Sequence, residues 1–74
     1  MAGVKFTESA LRQMGLLALS RIDVIAILDR ADAMESDTES GFVRVHGNIG
    51  RRLFSLFLRP MEDDIWLATI EEGP

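Results

Sequence analysis

From Phe42 to Ile70 the chain consists of three period-two segments separated by short runs of turn residues, and consecutive strands joined this closely can only pair antiparallel. Phe42-Val43-Arg44-Val45-His46 alternates along the first segment, and Gly47-Asn48-Ile49-Gly50 supplies turn chemistry. Arg51 to Arg59 then forms the second strand of a hairpin. Pro60 to Asp63 turns the chain again, and Asp64 to Glu71 forms a third strand.

Upstream the period changes to that of helices. Val4-Lys5-Phe6 is a short extended start, and Thr7 is an N-cap for a first helix over Thr7 to Leu17 with Ala10, Leu11, Met14 and Leu17 on its apolar side. Gly15 lies inside that pattern, which means either that the helix ends near it or that another backbone packs against it. Ser20-Arg21-Ile22-Asp23 has the form of a capping box with Asp in the role of Glu, and it opens a second helix over Arg21 to Ala31. Glu35 to Gly41, acidic and rich in Ser and Thr, is expected to be a solvated loop. The predicted architecture is a single α+β domain over residues 1–74, with two N-terminal helices packed on a three-stranded antiparallel meander.

At 74 residues the chain is near the lower size limit for a cooperative core, and its 47% apolar content places it among globular rather than disordered sequences. The large core fillers are Phe6, Phe42, Phe54, Phe57 and Trp66. The absence of cysteine removes both disulfide staples and thiolate metal sites, and suggests a reducing, cytoplasmic setting. No apolar run approaches the roughly 18 residues of a membrane span, and the N-terminus lacks the pattern of a secretory leader. No zinc spacing, nucleophile motif or phosphate loop is present, so no metal or cofactor is predicted.

The net charge of −4 conceals a segregation. Residues 41–60 carry Arg44, Arg51, Arg52 and Arg59 without a single acid, whereas residues 22–40 and 61–74 are strongly acidic. The middle of the sheet is therefore basic between acidic margins.

Sidedness raises the question of a partner. On the middle strand Phe54, Leu56 and Leu58 alternate with Leu53, Ser55 and Phe57, and on the last strand Trp66, Ala68 and Ile70 oppose Ile65, Leu67 and Thr69. Two helices can cover only one of these faces. Either the other face, with Leu53, Phe57, Ile65 and Leu67, binds a protein partner or a second copy in a homodimer, or the sheet curls around the helices.

Phe6-Thr7-Glu8-Ser9-Ala10-Leu11-Arg12-Gln13-Met14, then Leu19-Ser20 before Val24 to Leu28, resembles a bacterial domain-of-unknown-function family that opens with F-T-x-H-A-x-x-R-M. That family continues through R-G-I-S and V-x-x-x-L and closes with a G-R hairpin and an apolar strand, matched here by Gly47 to Leu58 and Ile65 to Ile70. The resemblance implies a fold similar to the RelE and BrnT toxin ribonucleases, and hence a toxin–antitoxin relationship. The family's His and Arg are Ser9 and Gln13 here, and its polar E-R-G is Leu16-Leu17-Ala18. Any RNA binding or chemistry that those polar groups perform in relatives is expected to be lost.

Among the remaining polar residues, His46 is the one candidate general base, sharing a face with Arg44 and close in sequence to Arg51 and Arg52. The chain has no Tyr and no second His to serve as the acid, so an exposed strand histidine is the plainer reading. Arg44, Arg51, Arg52 and Arg59 are candidates for binding nucleic acid or a partner; the acidic net charge favours a protein. The functional expectation is a small non-enzymatic protein-interaction module that binds a protein partner or itself through the sheet. The alternative is a ribonuclease-like or RNA-binding toxin domain.

Overall fold

The computed structural model describes residues 3–37 and 39–73. Its elements run β1 (Val4–Phe6), α1 (Glu8–Leu16), α2 (Arg21–Asp29), β2 (Ala33–Ser36), β3 (Val43–Ile49), β4 (Arg52–Met61) and β5 (Asp64–Gly73). The five strands form one mixed sheet in the order β1-β5-β4-β3-β2. The expected three-stranded meander is therefore not the whole sheet: β3, β4 and β5 are its centre, and each edge gains a strand from a segment whose local pattern reads as extended start or loop.

Both additions follow from what their neighbours offer. β1 is only three residues long, but it lies parallel to β5 with Phe6 beside Leu67, and it places apolar Val4 and Phe6 against the core side. β2 has no apolar period to announce it, and every one of its residues is exposed. It forms because the free edge of β3 pairs with it, from Ala33 opposite His46 to Ser36 opposite Val43. Glu35 and Ser36 thus belong to a strand, and only the stretch after them turns. That turn is closed by Asp37 N–H donating to Phe42 O and Gly41 N–H to Asp37 O, both at 2.9 Å, with Gly41 at φ +76°. Thr38, inside the predicted loop, lies outside the described residues.

The hairpin between β3 and β4 is tighter than Gly47 to Gly50 suggested. Gly47, Asn48 and Ile49 are paired in the ladder, and the loop is the two residues Gly50 and Arg51, with Gly50 at φ +59°. Gly47 serves packing instead of turning. It is buried under α2, where an added Cβ would meet Ile27 Cγ2 at 2.8 Å and the Ile27 carbonyl oxygen at 2.9 Å. The glycine lets the helix approach the strand at backbone distance.

Helix α1 begins on Thr7, whose hydroxyl accepts from Ala10 N–H, and ends at Leu16, so of the two readings of Gly15 the helix end is the one realised; nothing packs on that glycine. The exit is a Schellman motif, with Leu19 N–H donating to Met14 O at 2.8 Å and Ala18 N–H to Gly15 O at 3.2 Å. Ala18 stands in the left-handed position at φ +57°. Helix α2 carries the expected capping box between Ser20 and Asp23 and ends at Asp29.

Both helices lie on one face of the sheet, α1 on β5 and α2 on β3. Ala10, Met14, Leu19, Val24 and Ile27 meet Val45, Phe54, Leu56, Leu58, Leu67 and Ile70 in a single core. The buried residues of β5 are three apart rather than two, because the ladder with β4 steps from Phe57–Thr69 to Leu58–Leu67 and leaves Ala68 as an extra, bulged residue. A bulge reverses the alternation beyond it. Ile65 and Leu67 therefore share the helix-covered face with Ile70, and Trp66 shares the open face with Thr69.

Candidate functional site: the open face of the sheet

No helix covers the second face of the sheet. Cross-strand neighbours there form ordered rows. Continuing the register of Val43 with Leu58 places Phe42 beside Arg59, and the ladders place Arg59 beside Trp66 and Trp66 beside Lys5. One row thus alternates aromatic, cation, aromatic, cation, from the residue just before β3 across β4, β5 and β1. The next row holds Glu35, Arg44, Phe57 and Thr69, and the one after it Ala33, His46, Ser55 and Glu71.

Each aromatic ring of this face has a cation near it. The Arg44 guanidinium lies 5.0 Å from the Phe57 ring centre, Arg59 5.7 Å from Phe42, and the Lys5 ammonium 5.8 Å from Trp66. Such contacts hold long side chains flat against the sheet, so the cations are pre-ordered on the surface. The charges differ in how far they are neutralised. Lys5 is paired with Asp64 at 3.2 Å, and Arg44 has Glu35 at 3.9 Å. Arg59 has no carboxylate within salt-bridge distance among the described residues.

Two shallow clefts flank Phe42. One, of about 270 Å³, is lined by Thr7, Phe42, Arg59, Met61, Trp66 and Ala68. The other, of about 390 Å³, lies between Phe42, Arg44 and Phe57 on one side and Glu35, Ser36, Asp37 and Ser40 on the other. Asp37 is held below its usual carboxyl range by the Ser40 side chain first and then by the backbone N–H groups of Glu39 and Ser40, so the acidic wall of this second cleft keeps its charge.

The other site residues suggested by the sequence are scattered. Arg52 projects to the helix side, where Nη2 donates to the Leu17 carbonyl at 2.9 Å while Nε and Nη2 clasp Glu72 at 3.1 and 2.8 Å. It also lies 4.9 Å from the Phe54 ring centre. These bonds fasten the end of α1 to the sheet. Arg51 is exposed at the tip of the β3–β4 hairpin. Leu53, 49% exposed, and half-buried Phe57 lie on the open face, whereas Leu67 is fully buried and Ile65 packs against the core under the helices.

His46 shares the open face with Arg44, but both of its nitrogens have neighbours: Nδ1 is 3.0 Å from Ser55 Oγ, and Nε2 is 3.8 Å from Glu35. Arg52 is on the opposite side of the sheet and Arg51 at the hairpin tip, so the phosphate clamp that a histidine base would need is not gathered around it. Among the described residues no group of three or more His, Asp or Glu side chains is placed to share a metal ion. Nor is any helix among them long and apolar enough to cross a membrane.

Phe42, Phe57 and Trp66, expected as core fillers, stand on this open face instead, because the register turns them away from the helices, and only Phe54 and Phe6 of the five large residues join the core. Lys5 is the member of the row that residue types and spacing did not single out. Phe42, Arg44 and His46 alternate in plain view, as do Phe57 and Arg59, but the row exists only once the register sets one strand against the next. Compared with known proteins, the chain matches no family model, no curated protein and no solved structure.

Proposed function

We propose that this protein is a small non-enzymatic binding module whose ligand is single-stranded nucleic acid, RNA in the first instance, held on the open face of the sheet. The observation that carries this reading is the row Phe42, Arg59, Trp66, Lys5, in which flat rings alternate with cations at the spacing of neighbouring strands, about 4.8 Å. A single strand offers the complementary pattern, an unstacked base and a phosphate in every repeat. An acidic peptide would use the cations and leave the rings idle. The net charge of −4 is no obstacle to a local site, since the acids of residues 22–40 and 61–74 are largely outside the row.

Binding without cleavage is supported by the surroundings of His46, whose nitrogens face Ser55 Oγ at 3.0 Å and the Glu35 carboxylate at 3.8 Å, while Arg51 and Arg52 stand away from it. A chain without cysteine suits the cytoplasm, where that RNA is found. Fluorescence polarisation of a labelled single-stranded oligoribonucleotide tests the reading: binding that weakens severalfold between about 50 and 200 mM salt supports it, and no binding at low salt sinks it. RNA recovered shortened after incubation would overturn the non-enzymatic part.

A second reading, a protein partner or homodimer, is favoured by the outer surface of the helices. Ile22 is 78% and Ile25 51% exposed on α2, and Leu11 is 40% exposed on α1. Sedimentation that shows a concentration-dependent dimer, abolished by Ile22→Ser with Ile25→Ser, would support it.

A further inference from the structure

The open face is uneven, and the unevenness specifies how a strand would lie on it. Resting on the reading above, we propose that the cleft between Phe42 and Trp66 seats one unpaired base, with its phosphate on Arg59, and that Glu35 weakens the adjoining Arg44–Phe57 seat.

The two clefts have different chemistry. The first is walled by Phe42, Met61, Trp66 and Ala68, with Arg59 between the two rings in the register. Its volume of about 270 Å³ falls below the roughly 300–1,000 Å³ of sites that enclose whole drug-sized ligands, and suits one ring system laid against aromatic walls. Ala68, the bulged residue, lines this cleft with a small side chain, and its carbonyl accepts from the Thr7 hydroxyl at 2.8 Å. Arg59 is the cation of the face without a carboxylate partner among the described residues, which leaves its charge for a phosphate.

The second cleft has the same pairing of ring and guanidinium, Phe57 with Arg44, but Glu35 and Asp37 form its far wall. Glu35 lies 3.9 Å from Arg44 and 3.8 Å from His46 Nε2, so it faces both positive or protonatable groups of that end of the sheet. A phosphate entering there meets two carboxylates. The rows are two residues apart along the strands, about 6.8 Å, which is a step that an extended single strand can take from one seat to the next. The footprint is then two nucleotides, one held firmly and one loosely.

The test uses the full chain and its single tryptophan. Trp66 fluorescence is followed while a short oligouridylate is added, with a labelled oligonucleotide read in parallel by polarisation. A duplex of equal length and poly-glutamate serve as controls. The expected result is quenching by the single strand, at least about fivefold weaker binding for Phe42→Leu, and for Arg59→Gln a salt slope smaller by about 0.7. Glu35→Gln should tighten binding. Arg59 and Glu35 are exposed, so neither substitution removes a core contact. Wild-type binding that Arg59→Gln and Glu35→Gln leave unchanged overturns this assignment while the face still binds RNA. Duplex bound as tightly as single strand also overturns it, and poly-glutamate in place of RNA identifies an acidic protein as the occupant. No binding of any oligonucleotide by the wild type removes the proposed function itself.

Discussion

The hydroxyl of Thr7 donates to the carbonyl of Ala68 at 2.8 Å and accepts from the N–H of Ala10 at 3.0 Å, so one side chain both caps α1 and satisfies the bulge in β5. The neighbouring backbone repeats the link, Thr7 N–H donating to Leu67 O at 3.2 Å. Replacing the hydroxyl by a methyl in Thr7→Val removes a cap and leaves a bulge carbonyl without its partner. The expected cost is about 2 kcal/mol, measured by urea denaturation, with Thr7→Ser close to wild type. A loss for Thr7→Ser with Thr7→Val close to wild type would show that the methyl packing, not the hydroxyl, matters.

Gly47 is where α2 rests on β3. A methyl there would stand 2.9 Å from the Ile27 carbonyl oxygen, a backbone atom that cannot swing aside. Gly47→Ala should therefore cost about 2–3 kcal/mol or more by overpacking, although alanine is the better strand residue by propensity. An unchanged denaturation midpoint would contradict the close approach.

Ala18 occupies the left-handed position of the Schellman motif at φ +57°, where an L residue is strained by roughly 1–2 kcal/mol. Ala18→Gly should raise stability by about 0.5–1 kcal/mol after the greater freedom of glycine in the unfolded chain is subtracted. A lower melting temperature would refute this.

Acid should loosen the fastening of α1 to the sheet. The hydrogen bonds from Arg52 hold the Glu72 carboxyl below its ordinary value of 4.5 in the folded protein, and the charge of Arg52 acts in the same direction. A carboxyl whose folded pKa is depressed contributes stability above its unfolded value, and that contribution is lost as pH falls through the folded one. Stability should thus decline below about pH 4.5, and Glu72→Gln should show a smaller difference between pH 7 and pH 3. The group is well solvated, so the effect is modest and is reduced by salt.

Much of the fold is open to reading along the chain. Thr7 and the Ser20–Asp23 box mark the helix starts because caps act within three residues. The β3–β4–β5 core follows from period two and short turns. β2 cannot be read, since exposed Ala33-Met34-Glu35-Ser36 carries no pattern and becomes a strand only because β3 presents a free edge. β1 is visible as extended chain, but not its parallel partner, whose contacts lie about sixty residues away.

At the site, residue order alone establishes which side chains are basic, which are aromatic, and that Phe42, Arg44 and His46 share a side, because alternation along one strand is a local property. That Arg59 stands between Phe42 and Trp66, that Arg52 faces the helices and that Leu67 is core are settled by the folded sheet. The reason is the register between strands and the single extra residue at Ala68, which inverts the facing of everything beyond it.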